Sequence, residues 1–352
     1  MGLKVGLIDT DGHHFPNLPL MKLSAWHKQQ GDSVEWYQPM FSGHMDIVYM
    51  SKVFSFTPDY EYPINADKVI RGGSGYCIEL KDGKEHYCAD KDSHLAPEVE
   101  HIYPDYSLYP EYTGWGKSLK RQTAYGFLTR GCPRGCGFCH VAAKEGKRSR
   151  KVADLSEFWK GQGNIVLNDP NTLACPEHMD LLQQLVDSKA TVNFNQGMDI
   201  RLINEKNLEL IRKIRLKLVH FAFDRWQDKD IIEPRLRMFK EATGYDRHKV
   251  SVFILMNYDT TIEQDLYRIM LVGKELGFAP YPMIYDKEHC NPIYRKIQRW
   301  CNPFIFMKCD TFEDYKKTTE CGSRLDEEEN LTAAFYFAER GTNEKRNRKQ
   351  EG

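Results

Sequence analysis

Apolar residues alternate with polar punctuation along most of this chain, and from about residue 124 the rhythm becomes regular. The runs AYGFLTR, NIVLND, TVNFNQG, LVHFAFD, VSVFILMN and FAPYPMIYD are short, apolar and bounded by turn residues, which predicts strands. Between them lie segments with helical spacing, among them EHMDLLQQLVDS, NEKNLELIRKI, IEPRLRMFKEAT and IEQDLYRIMLVGKEL. Strand followed by helix, repeated six times at roughly 30 residues per unit, implies parallel strands joined by crossovers. The pattern predicts an α/β fold, a partial (β/α)6 TIM-type barrel, over residues 120–310. Polar residues gather where these strands end: Arg130, Asn168, Asp169, Asn195, Gln196, Asp224, Asn257 and Asp286. That is the edge at which such folds place their chemistry.

The first part of the chain reads differently. LKVGLID is an apolar run before a glycine loop, NLPLMKLSAWHKQQ has helical spacing up to Gly31, and SVEWYQ, MDIVYMS and KVIRGG are strand-like. This predicts a small doubly wound, Rossmann-like domain over residues 1–93. The Tyr/Pro-rich stretch at 94–119 has neither period and reads as an ordered linker. Residues 311–352 read as a helical segment running into a polar, basic tail.

Composition narrows the function classes. The 352 residues are 41% hydrophobic, ample for buried cores. Lys+Arg 49 against Asp+Glu 50 lacks the basic surplus of a dedicated nucleic-acid binder, although the run KEGKRSRK leaves a local contact open. MGLKVGLIDTDGHHF reads as strand and loop rather than a leader, and no apolar run reaches membrane-span length, so a cytoplasmic protein without a membrane partner is expected.

Ten cysteines in a reducing compartment point to metal binding or catalysis before disulfides. Cys77, Cys88 and Cys175 stand alone and read as buried small hydrophobes. Cys290, Cys301, Cys309 and Cys321 are loosely spaced, so packing is the simpler expectation and an auxiliary cluster the alternative. Cys132, Cys136 and Cys139 are different: FLTRGCPRGCGFCH packs three thiols at C-x3-C-x2-C spacing directly after the first barrel strand. Three thiolates on a [4Fe-4S] cluster leave one iron open, whereas structural zinc wants a fourth ligand, for which His140 is at hand.

This segment, with Phe138 before its last cysteine, resembles the signature loop of the radical S-adenosylmethionine (SAM) superfamily, and the likeness spans about residues 120–290. The resemblance implies a [4Fe-4S] cluster on Cys132, Cys136 and Cys139, SAM chelated at the open iron, and a 5′-deoxyadenosyl radical that modifies an unidentified substrate, methylation being one candidate. It also implies an electron donor such as flavodoxin or ferredoxin. Phe138 would then lie near adenine; Asn168 or Asp169 would replace the glycine motif that many members carry and this chain lacks. Gln196, Asp199, Arg201 and Asp224 would meet the ribose or the SAM carboxylate, with Ile254 on adenine and Asn257 at its strand end. For each, the alternative is a hydrogen bond or packing contact at the barrel rim.

A small domain ahead of such a barrel, and the phrase IYPDYSLYP, are similar to the cobalamin-binding class of that superfamily. Asp11-Gly12-His13 approaches its D-x-H-x-x-G motif, but Pro16 stands where the glycine belongs. Cobalamin is therefore an optional cofactor, and a substrate-docking or vestigial domain the alternative. Two further functional alternatives are an RNA-modifying methylthiotransferase-like enzyme, which would want three more cysteines near the N-terminus, and a non-catalytic Fe–S or zinc module.

Overall fold

A computed structural model describes residues 2–81 and 84–318. The chain divides into two compact units, Met1–Pro303 and Phe304–Gly352. The first holds two parallel sheets, making a mixed α/β protein.

The first sheet contains β1 (Lys4–Asp9), followed by α1 (Leu18–Gln29), then β2 (Ser33–Trp36), β3 (Met45–Ser51) and β4 (Ala66–Gly72), in the spatial order β2-β1-β3-β4 with every pairing parallel. β1 is central and buried from Val5 to Asp9, as a strand covered on both faces must be. Its alternate residues feed two cores. Val5 and Leu7 pack with Leu20, Leu23 and Val99, while Ile8 packs with Tyr37, Met45, Val48 and Met50. Asn17 caps α1 by accepting from the Leu20 N–H, and Pro19 occupies its first turn.

A doubly wound domain would carry helices on both faces. Here α1 alone serves as a crossover helix; among the described residues, 37–44 and 52–65 connect the other parallel strands without helix. Those segments are rich in Pro, Phe and Tyr and have no helical period. The one-turn α2 (Ser74–Cys77) leads to an antiparallel hairpin of β5 (Ile78–Lys81) and β6 (Lys84–Tyr87).

The Tyr/Pro-rich stretch contains the single turns α3 (Pro97–Glu100) and α4 (Pro110–Thr113). It is fastened by buried tyrosines. Tyr109 donates its hydroxyl to Asp9 Oδ2 at 2.7 Å, and Tyr106 donates to the Phe158 carbonyl at 2.7 Å.

Then come β7 (Thr123–Gly126), β8 (Thr129–Arg130), α5 (Val141–Glu145), β9 (Arg150–Lys151), β10 (Asn164–Leu167), α6 (His178–Ser188), β11 (Thr191–Phe194), α7 (Glu205–Lys213), β12 (Arg215–Ala222), α8 (Lys229–Thr243), β13 (Val250–Met256), α9 (Ile262–Met270), β14 (Ala279–Ile284) and α10 (Ile293–Cys301). Six of the strands form one parallel sheet in the order β14-β13-β12-β11-β10-β7, consecutive strands being neighbours; β8 and β9 form a separate antiparallel ribbon. All six carboxyl ends therefore share one edge. Capping boxes at Asn204 and Asn207 and at Thr261 and Gln264 set the starts of α7 and α9. No helix among the described residues is long and apolar enough to cross a membrane. In the second unit a 3-10 turn at Ile305–Lys308 precedes α11 (Phe312–Thr318); Cys321 and the basic tail lie outside the described residues.

Candidate metal centre

The loop bearing the three cysteines leaves β8 and is closed at its base by the β8–β9 ribbon. Glu145 clasps it, accepting from Arg130 Nη1 at 2.8 Å and from the Gly131 N–H at 3.0 Å, and the Cys132 N–H donates to the Gly146 carbonyl at 3.1 Å. Gly131 has φ +88, and a Cβ there would meet the Arg148 carbonyl oxygen at 2.2 Å, so only glycine fits. A Cβ on Gly137 would sit 2.6 Å from Tyr258 Oη, which shows how closely the loop approaches the end of β13. Phe138 meets Tyr258 edge-on at 5.0 Å, and Tyr258 meets Tyr285 likewise at 4.9 Å.

Burial pushes the Cys136 thiol up and the Cys139 thiol up to about 11, the neighbouring cysteines adding to both shifts. Without a metal these groups are therefore thiols, and a cation that binds them must displace protons. Asn171 donates Nδ2 to Cys132 Sγ at 3.6 Å; it is buried, and its Oδ1 has no hydrogen-bond partner. A donor aimed at a ligating sulfur is one of the levers that tune an iron–sulfur cluster. His140, the available fourth ligand, has its Nδ1 2.5 Å from Glu85 Oε2 on β6. Among the described residues no three His, Cys, Asp or Glu side chains are gathered closely enough to form a ready-made metal set. The loop offers three sulfurs, which fits a cluster with three protein thiolates; His140, bonded to Glu85 through Nδ1, has the carboxylate contact that metal-ligating imidazoles commonly make through their second nitrogen, so Cys3His zinc is the competing donor set.

The other residues singled out from sequence fall into two groups. Asp199 and Arg201 are tied to the cysteine loop. Arg134 Nε donates to Asp199 Oδ2 at 2.5 Å, Arg201 Nε donates to Asp199 Oδ1 at 2.7 Å, and Arg201 also pairs with Asp228. Burial works against the Asp199 carboxylate, yet the two arginines hold it below its ordinary range. Asp224, at the end of β12, accepts from the Leu255 N–H at 3.0 Å and lies near enough to Cys136 to act on its charge; burial raises it to about 6. Gln196 is exposed at the end of β11, and Asn168 accepts from Asn195 Nδ2 at 2.9 Å.

Three residues are committed to the rim itself. Asp169 is buried and accepts from the Leu128 and Thr129 N–H groups and the Thr129 hydroxyl at 2.6–2.9 Å. Asn257 adopts φ +64 and donates Nδ2 to the Tyr285 carbonyl at 3.3 Å. Ile254 is fully buried in the sheet and presents no surface to a nucleobase. Tyr258, Tyr285 and Asn171 escaped the sequence reading. Tyr258 follows Asn257 and Asn171 closes the NDPN phrase, so proximity to a flagged strand end was their only signal.

In the first sheet, Asp11 spends its carboxylate on the Val53 N–H at 2.6 Å and the Thr57 hydroxyl at 2.6 Å. The His13 ring lies edge-on to Trp36 at 4.0 Å, with φ +62 at that residue. Cys77, Cys175 and Cys301 are buried, and every cysteine among the described residues is free of disulfide. No protein-family model matches the chain, and no curated protein matches it either.

Proposed function

We propose that this chain is a radical SAM enzyme whose [4Fe-4S] cluster is held by Cys132, Cys136 and Cys139 at the mouth of a partial (β/α)6 TIM-type barrel. The carrying observation is the placement of three thiols on a glycine-shaped loop at the carboxyl edge of six parallel strands. When bound, the cluster and SAM supply reductive cleavage of a sulfonium and a 5′-deoxyadenosyl radical, with one electron from a donor such as flavodoxin or ferredoxin.

This chain's own residues support that chemistry by position. Gly131 and Glu145 fix the loop; Asn171 polarises the Cys132 sulfur; Arg134, Asp199 and Arg201 tie the loop to the end of β11. Phe138 and Tyr258 provide an aromatic wall beside the thiols against which an adenine can stack. Asn168, Gln196 and Asp224 offer polar atoms at the same edge for ribose hydroxyls and amino groups. The reading needs no corrinoid, and it suits a reducing cytoplasm, where free thiols persist. Its substrate is unidentified.

Anaerobic reconstitution with iron and sulfide tests it. The holoprotein should absorb broadly near the visible band typical of [4Fe-4S] clusters and release 5′-deoxyadenosine from SAM under dithionite. A reconstituted protein that binds zinc in preference, or that yields no 5′-deoxyadenosine, overturns the reading.

A further inference from the structure

The carboxyl ends of β1 and β2 open into a cavity of about 470 Å³, well away from the cysteine loop in sequence and lined by none of its residues. Open parallel sheets bind ligands outside the carboxyl ends of their strands, and this volume is of ligand size. The helix-free segments 37–44 and 52–65 leave this end of the sheet to loops, and Thr57–Tyr62 form one wall.

The lining has a definite chemistry. Trp36, Tyr37, Tyr60 and Tyr62 contribute aromatic rings, while Asp9, Asp59 and Glu61 contribute carboxylates. Among the described residues, none that lines the cavity is Lys or Arg. His13 adds no charge near neutrality, since burial pushes its imidazole down. Lys52 and Arg71 lie close enough to act on Asp59; Lys52 sits over the Tyr76 ring at 4.7 Å and donates Nζ to the Thr57 carbonyl at 3.4 Å, and neither residue is itself among those lining the cavity. Asp59 accepts from the Tyr76 hydroxyl and from the Tyr60 N–H, both at Oδ1. Tyr60 Oη is a buried polar atom without a hydrogen-bond partner. A phosphate or nucleotide would meet carboxylates among the lining residues, the nearest cations, Lys52 and Arg71, standing outside the lining. Aromatic faces attract cations, and carboxylates beside them select for one.

We propose that this cavity binds an organic cation, an ammonium or guanidinium carried on an apolar stem, with the rings receiving the stem and Asp59 and Glu61 the charge. Two sources carry that chemistry: a free amine, and a Lys or Arg side chain on a polypeptide. The loops that build the cavity also hold out Met40 (87% exposed), Phe41 (84%) and Phe56 (75%), apolar surface that a polypeptide would cover and a free amine would not.

The test is isothermal titration of the full-length protein with agmatine and with the peptide acetyl-Gly-Arg-Gly-amide, beside N-butylurea as an uncharged analogue of the alkylguanidinium and AMP as an anion. Saturable binding of either cation, weakened by salt and absent for butylurea and AMP, supports the site. The combined variant Asp59→Asn with Glu61→Gln should weaken it by about tenfold or more, and Tyr62→Ala by several-fold. Asp59, Glu61 and Tyr62 are exposed, so an unchanged melting temperature shows that the fold is intact. Tighter binding of the peptide assigns the polypeptide source and tighter binding of agmatine the free one. Absence of saturable binding by both cations, equal binding of butylurea, or hydroxocobalamin retained through desalting and displaced by agmatine would each overturn the proposal. Because the site shares no residue with the cysteine loop, its failure leaves the radical SAM reading standing, and the reverse holds.

Discussion

The two parallel sheets of this protein present their carboxyl ends in opposite ways. At the six-stranded sheet the polar residues are mostly spent on one another: Asp169 on Thr129 and Leu128, Asp199 on Arg134 and Arg201, Asn168 on Asn195. The loop of three thiols sits beside that rim, fastened by Glu145 and by the Arg134–Asp199 pair. At the four-stranded sheet the rim is built from loops, and the carboxylates and rings face a cavity. The first arrangement braces a loop with satisfied hydrogen bonds; in the second Asp9 and Asp59 are already bonded to tyrosine hydroxyls, while the Tyr60 hydroxyl is left without a partner.

The largest expected effect separates the two ends outright. Replacing Cys132, Cys136 and Cys139 with alanine should abolish the cluster spectrum and 5′-deoxyadenosine release while leaving agmatine binding unchanged. Residual cluster absorbance in the triple variant would move the ligand set elsewhere.

Next comes the brace. Gly131→Ala places a side chain at φ +88 and 2.2 Å from a backbone oxygen, and backbone cannot yield as a side-chain tip would. The combined strain and collision should cost roughly 3–5 kcal/mol and empty the loop of iron. Urea denaturation and iron content measure the two effects; full iron loading would show that the loop tolerates the distortion.

Asp169→Ala follows. It strands two buried N–H groups and two hydroxyls at the foot of the same loop, at about 1–3 kcal/mol for an orphaned group, so a loss of about 3 kcal/mol is expected in denaturant titration. A loss below about 1 kcal/mol would mean that water reaches these donors.

How far these features were legible in the sequence follows from the range of the interactions. Strands such as NIVLND and TVNFNQG announce themselves by local pattern, and they appear at Asn164–Leu167 and Thr191–Phe194. The C-x3-C-x2-C loop is likewise local. The Tyr/Pro-rich stretch is not, because its order comes from Tyr106 and Tyr109 bonding to groups at 158 and 9, a pairing that no window of sequence contains. The same limit hid the cavity, whose walls come from segments around 9, 36 and 60. It also led Ile254 to be expected on adenine, when it is completely buried in the sheet. The doubly wound expectation is shown only as far as the parallel strands: their positions are written in local apolar runs, and the missing helical period of 37–44 and 52–65 becomes telling only once the strands are known to be parallel.

The smallest effect probes the cavity from within. Burial, opposed by the Tyr109 hydroxyl, raises Asp9 from its ordinary 3.8 to about 6. A carboxyl raised in this way contributes stability that is complete below pH 3.8 and is lost as pH climbs through about 6. The wild-type protein should therefore lose about 2 kcal/mol from this group between pH 4 and pH 7, and Asp9→Asn should remove that share of the slope, leaving the shares of Asp169 and Asp224 in place. Urea midpoints at several pH values measure it; an unchanged slope would mean that Asp9 is hydrated rather than buried. Agmatine sharpens the comparison. A cation beside Asp9 stabilises its ionised form, so saturating agmatine should flatten the wild-type slope and leave that of Asp9→Asn as it was. If agmatine binds but both slopes stay as they were, the charge is held by Asp59 and Glu61 alone, and Asp9 belongs to the brace of its own sheet, as Asp169 does to the other.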